Sequence, residues 1–198
     1  YETLCGEKPE IVQKAMIVCA DRKLAFRVLK EILKLRPDWG VAKKCEDESS
    51  VSAEDLEQMT EIPKINLVAT RNPDDEQELF DLCGTKEYRQ KLDELFKDTK
   101  SNFKIAIVVD MWITGFDVPS LAVMYIDKPL QKHTLIQTIS RVNRVFEGKD
   151  KGLIVDYIGI KAEMMEAIKI YGGPQESPVD ELNISLGIFR NHLKLIDD

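Results

Sequence analysis

Five short apolar runs constrain this chain more than any other feature. They are Ala15–Ala20 (AMIVCA), Ile65–Ala69 (INLVA), Ile105–Val109 (IAIVV), Ala122–Ile126 (AVMYI) and Leu153–Val155 (LIV). None alternates apolar with polar. A strand with one wet face would alternate, so unbroken runs point to strands covered on both faces, as in a parallel sheet.

Helix signals fall between the runs. Asp21 can cap a helix that runs to about Arg36, where Pro37 stops it. Ser52 and Asp55 have the spacing of a capping box. Asn72-Pro73 followed by Asp74, Asp75 and Glu76 reads as a cap, a first-turn proline and acids favoured by the helix dipole. That helix is expected to break near Gly84 and to resume at Thr85 through about Lys97. Strand and helix alternate, so the class is α/β with a mostly parallel sheet.

A further helix is expected over Leu135–Phe146. At about 100° per residue, Leu135, Ile139, Val142 and Phe146 share one narrow arc, while Gln137, Arg141 and Arg144 lie opposite. Taken alone, this could be an ordinary solvated face. Yet both cations are arginines, whose rigid five-donor fork suits phosphate oxygens. The stretch Asp110–Pro119 (DMWITGFDVP) follows the third run directly, and a loop after a parallel strand is a usual ligand position. Gly115 allows an unusual backbone angle or close approach there, and Asp117 adds a carboxylate. An ordinary turn is the plainer reading of that loop.

Charge sets limits. The formal net charge is −7, which by itself argues against nucleic-acid binding. The distribution is uneven, with six Lys or Arg against three Asp or Glu from Asp127 to Lys151. Such a strip on an acidic body can still touch phosphates. The acidic helices over 74–97 read as solvated faces. Cys5, Cys19, Cys45 and Cys83 are too far apart for a C-x-x-C motif and read as reduced thiols of a cytoplasmic protein. His133 and His192 are isolated and suggest no metal site. Trp112 reads as a packing residue and Asp156 as a loop cap. No apolar run approaches the roughly 20 residues of a membrane helix. The start, YETLCGEKPE, resembles no signal peptide and lacks Met, so a fragment of something longer is expected.

Taken in order, ITGFDVPSL, YIDKPL, LIQTISRVNR and GLIVDYIG resemble the second motor domain of superfamily 2 helicases and translocases. Within that group the resemblance is to the motor (R) subunit of type I restriction enzymes, over roughly residues 10–160. It implies a RecA-like, three-layer α/β domain over 1–160. A helical extension over 161–198 would begin a further domain.

By the same resemblance, Gln137 to Arg144 matches the family's last motif, Q-x-x-G-R-x-x-R, with Ser140 in the glycine's place. Arg141 and Arg144 would face the ATP γ-phosphate across a cleft, one of them as an arginine finger, with Gln137, Gly115 and Asp117 on the nucleotide side. Thr114, Gly115 and Asp117 match the motif that joins the nucleotide cleft to the DNA track. Arg22 and Lys23, and Thr70 and Arg71, stand after strands where the family contacts the nucleic-acid backbone.

No G-x-x-x-x-G-K-[ST] loop, no D-E-x-H stretch and no nuclease cluster is present in this sequence. ATP and Mg²⁺ are therefore expected to be held mainly by a first RecA-like domain of the same polypeptide, and the chain alone is expected to be inactive. The partners implied are that domain, an upstream nuclease domain, methyltransferase and specificity subunits, and double-stranded DNA. Two other readings stay open: the corresponding domain of another superfamily 2 DNA or RNA helicase, and a nucleotide-fold binding module without catalysis.

Overall fold

The computed structural model describes residues 14–113, 115–142, 144, 146 and 152–159, and of residues 50, 132, 136 and 139 the backbone alone. The 161–198 extension and Thr114 lie outside the described residues.

Each apolar run forms a strand: β1 Lys14–Cys19, β2 Ile65–Val68, β3 Ile105–Val108, β4 Leu121–Asp127 and β5 Leu153–Asp156. They make one sheet in the order β2-β3-β1-β4-β5, with every neighbouring pair parallel. In register, Met16 of the central strand stands between Ala106 and Met124.

The helices are α1 Arg22–Leu35, α2 Ala53–Gln58, α3 Gln77–Cys83, α4 Lys86–Lys97 and α5 Lys132–Val142. They explain why the runs do not alternate. On one face Met16, Val18, Val108, Met124 and Ile126 pack with Leu92 and Phe96 of α4 and with Leu135 and Val142 of α5. On the other, Ala15, Ile65, Leu67, Ile107 and Val123 pack with Ala25, Phe26 and Leu29 of α1 and with Leu79 and Cys83 of α3. Each large apolar side chain so buried stabilises the fold by about 1.5–3 kcal/mol. The result is the three-layer α/β architecture expected from the sequence.

Side chains cap three helix starts, at Asp21 and Ser52 as expected and also at Thr85. Asp21 accepts from the Leu24 amide at 2.9 Å, Ser52 from Asp55 at 3.1 Å and Thr85 from Tyr88 at 3.2 Å. Gly84, at φ 61, breaks α3 from α4. Cys19, Cys45 and Cys83 are free and buried, and burial pushes the Cys19 thiol up to about 11.

Two helix boundaries differ from expectation. Asn72 opens a turn, not a helix, and α3 begins only at Gln77. The Asn72 carboxamide oxygen accepts from the Asp74 amide, while the Asn72 amide donates to Asp75, so local side-chain bonds outcompete the helical pattern. The arginine helix stops at Val142, short of Phe146. Gly152, just before β5, passes against it: a Cβ there would lie 2.2 Å from the Val142 carbonyl oxygen. Among the described residues no helix is long and apolar enough to cross a membrane.

Candidate functional site

Because all five strands run the same way, the loops after β1, β2 and β3 meet at the carboxyl edge of the sheet. A cleft of about 670 Å³ opens there, lined by Asp21, Arg22, Lys23 and Arg27 of the β1 end and α1, with Thr70 after β2 and Asp110 after β3. Three of the residues expected at a nucleic-acid backbone, Arg22, Lys23 and Thr70, are thus brought together. Their charges are handled differently. Arg22 gives Nε and Nη2 to one carboxylate oxygen of buried Asp75, at 3.2 and 3.1 Å. Lys23 and Arg27, one turn apart and exposed, have no partner among the described residues. Arg27 is a residue the motif reading missed, although its i+4 spacing from Lys23 was there to be read.

Arg71 does not join this cleft. Its Nε donates to the Phe80 carbonyl at 3.0 Å and its guanidinium lies 4.6 Å over the Phe80 ring. The following α3 therefore draws it aside, which its position after a strand could not foretell.

The second half of the edge joins the β3 loop to the end of α5. Leu135 and Val142 are buried, which pins the helix to the sheet. On the outer side Gln137 is exposed, and the Ser140 hydroxyl donates back to the Gln137 carbonyl at 2.9 Å. Serine therefore takes the motif's glycine position without an unsatisfied group. Arg141 donates from Nη1 to the carbonyl of Phe116, and Arg144 pairs with the Asp117 carboxylate at 2.5 Å. Both arginines are thus turned onto the loop that carries Gly115, which sits at φ 73 with open space around it. Arg144 lies past the end of α5, not on it, yet reaches the same loop.

Partial burial, and next the Arg144 charge, pull Arg141 below the usual arginine range, and Asp117 pulls it back. Its Nε is buried without a hydrogen-bond partner among the described residues. An arginine with an unmatched buried donor beside a second guanidinium has hydrogen-bond capacity left for an oxyanion. Among the described residues no group of three or more His, Cys, Asp or Glu could hold a metal ion. Asp156 accepts from the Ile158 and Gly159 amides at 3.1 and 3.0 Å, as a loop cap should.

The fold is RecA-like α/β, a class that serves many activities, so fold alone does not define the function. A family model for type I restriction enzyme subunit R domain 3 matches residues 38–159. The chain is 36% identical over 170 residues to the type I restriction enzyme HindI endonuclease subunit of Haemophilus influenzae, covering 84% of this chain and 15% of that protein. It is 40% identical over 159 residues to the putative type I restriction enzyme MjaIXP endonuclease subunit of Methanocaldococcus jannaschii, covering 80% of this chain and 13% of that protein. Among solved structures, a fragment of a putative HsdR subunit of a type I restriction enzyme from Vibrio vulnificus YJ016 superposes with a TM-score of 0.52. That match has 14% identity and covers 87% of this chain and 28% of that one, a likeness of fold.

The chain belongs to the type I restriction enzyme subunit R family, and its residues 38–159 match the family's domain 3. It spans about 15% and 13% of the length of the two curated relatives.

Proposed function

We propose that this chain works as the second motor domain of a longer R subunit, in which ATP hydrolysis drives double-stranded DNA translocation before cleavage. The observation that carries this reading is the direction of two side chains: Arg141 and Arg144 both turn onto the Phe116–Asp117 loop at the carboxyl edge of the sheet. In that position their guanidinium groups can reach across a cleft to phosphates held mainly by a first RecA-like domain. ATP with Mg²⁺ supplies the phosphoryl group whose loss drives the cycle.

Each residue's part follows from its surroundings. Arg141, partly buried, offers donors in a site where water screens them less, and so stabilises charge that develops as the phosphoryl group departs. Arg144 trades Asp117 for a phosphate oxygen. Gln137, exposed beside them, orients on the nucleotide side with Gly115 and Asp117. Arg22, Lys23, Thr70 and, added here, Arg27 track the DNA backbone along the neighbouring cleft; Thr114 would join them. Cleavage belongs to an upstream nuclease domain, and site recognition to the methyltransferase and specificity subunits. The chain alone is expected to lack ATPase activity.

The test is DNA-stimulated ATP hydrolysis by the complete R subunit, assembled with its partners and carrying Arg141→Ala or Arg144→Ala. At least one variant is expected to lose about 10³-fold in kcat, as for a lost arginine finger. Unchanged rates in both would favour a nucleotide-fold module without motor function.

A further inference from the structure

The loop after β3 contains a backbone conformation that the motor reading leaves unexplained. Trp112 is the only described non-glycine residue with positive φ, at 67. A bulky side chain rarely adopts this region, and keeps it only when its surroundings over-determine it. A tryptophan that only filled the core could do so from an ordinary backbone.

The surroundings here are aromatic. The Trp112 ring lies face to face on Phe116, with centroids 4.2 Å apart and planes 3° from parallel. It also stacks on Phe96 of α4 at 5.3 Å and 22°. Phe96 is fully buried and packs in turn on Phe103 at 4.8 Å. Lys97 sets its ammonium 5.0 Å from the Phe116 ring centre. Phe116 is therefore gripped on its ring, and its carbonyl is the acceptor for Arg141. Since the Arg141 Nε has no partner among the described residues, that carbonyl is the one described contact that orients the guanidinium.

We infer that Trp112 is a positioning residue for Arg141: its left-handed backbone swings the indole onto Phe116, and the stacked Phe116 holds its carbonyl where Arg141 needs it. The inference rests on the motor reading, in which Arg141 acts on ATP. The chain of contact runs from α4 through Phe96, Trp112 and Phe116 to Arg141. It couples the core directly to the arginine, with no intervening solvent-exposed side chain.

The experiment is a double-mutant cycle in the complete R subunit, with Trp112→Ala, Trp112→Phe, Arg141→Ala and Trp112→Ala/Arg141→Ala. The readouts are kcat and KM for ATP in DNA-stimulated hydrolysis, with thermal unfolding to monitor the fold. Trp112→Ala is expected to lower kcat by about tenfold to a hundredfold, the size of a misplaced catalytic group, with KM changed by less than about threefold. Trp112→Phe should recover most of that loss. The double variant should be no slower than Arg141→Ala alone, because the two act as a unit.

Losses that multiply in the double variant would mean that Trp112 acts independently of Arg141 and would overturn the inference. So would an unchanged kcat in Trp112→Ala beside a large loss in Arg141→Ala. An unchanged kcat in Arg141→Ala would overturn the inference while leaving the motor reading to Arg144; unchanged kcat in both Arg141→Ala and Arg144→Ala would remove the motor reading itself. If Trp112→Ala does not fold, Phe116→Leu dismantles the same stack from its other side and carries the same cycle.

Discussion

The two ends of the sheet both carry cations, and they use them in opposite ways. At the amino edge, Lys14 begins β1 with no exposed surface, and its ammonium donates to the carbonyls of Phe96, Asp98 and Leu95 at 2.5, 2.6 and 3.3 Å. Lys104, just ahead of β3, is buried as well and donates to the Thr99 carbonyl at 2.9 Å. These carbonyls lie at and just past the end of α4, where a helix leaves acceptors unmatched. The lysines are consumed by the fold.

At the carboxyl edge, Lys23 and Arg27 have no partner among the described residues, Arg22 and Arg144 are held only by carboxylates, and Arg141 is held by one carbonyl. Carboxylate partners can be exchanged for phosphate oxygens; backbone carbonyls closing a helix end cannot be given up without exposing the helix end. The difference identifies which end can bind a ligand.

The largest effect is expected where the lysines are consumed. Burial, with Lys104 close by, pulls the Lys14 ammonium from its usual 10.5 to about 7. Its folded pKa lies below its unfolded one, so the unfolded chain binds more protons between those values and stability rises with pH across that window. Lys14→Met removes this dependence along with three hydrogen bonds. Its destabilisation should be about 2 kcal/mol greater at pH 9 than at pH 7 by chemical denaturation. Equal losses at the two pH values would show that Lys14 does not titrate there and would weaken the contrast between the ends.

Next in size is Gly152→Ala. The added Cβ would meet the Val142 backbone at 2.2 Å, and backbone has to move to make room. A loss of about 1–3 kcal/mol is expected, the usual size for overpacking. Arg141 and Arg144 flank Val142, so ATP turnover in the complete subunit should fall too. A variant with parental stability and turnover would mean the helix end is not fixed from that side.

The smallest effects belong to the open cleft. Lys23→Ala and Arg27→Ala should each weaken DNA binding regardless of sequence and reduce the salt dependence by about one phosphate contact. Asp75→Asn, which loosens Arg22, should tighten binding a few-fold. Fluorescence anisotropy over a salt series reads all three. Unchanged slopes in both alanine variants would remove this cleft from the DNA path.

Much of this arrangement was readable in the sequence because it follows from local rules. Unbroken apolar runs mark strands buried on both faces, and Asp21 and Ser52 mark helix starts through side-chain caps. TGFD and QTISRVNR could be paired by resemblance, and the structure brings Arg141 onto Phe116 and Arg144 onto Asp117.

What escaped depends on contacts between distant residues. Asn72 looked like a helix cap, but its neighbour Asp75 is drawn into a turn and bonded to Arg22, far away in sequence. Arg71 stood at the right place after a strand and was turned away by Phe80. Lys14, just ahead of an apolar run, gave no sign that carbonyls from the end of α4 would surround it. Trp112 gave no sign of its left-handed backbone, because glycine is the residue whose presence signals that angle. Gly152 gave no sign that it lies against Val142.

The central claim is that Arg141 and Arg144 act on ATP held by a neighbouring domain. The most direct measurement separates binding from turnover in the complete R subunit: ATP affinity at equilibrium, and single-turnover hydrolysis with saturating DNA, for the parent and for the Arg141→Ala/Arg144→Ala double variant. The expected result is ATP binding within about tenfold of the parent and hydrolysis slowed by about 10³-fold or more. Hydrolysis at the parental rate would contradict the claim.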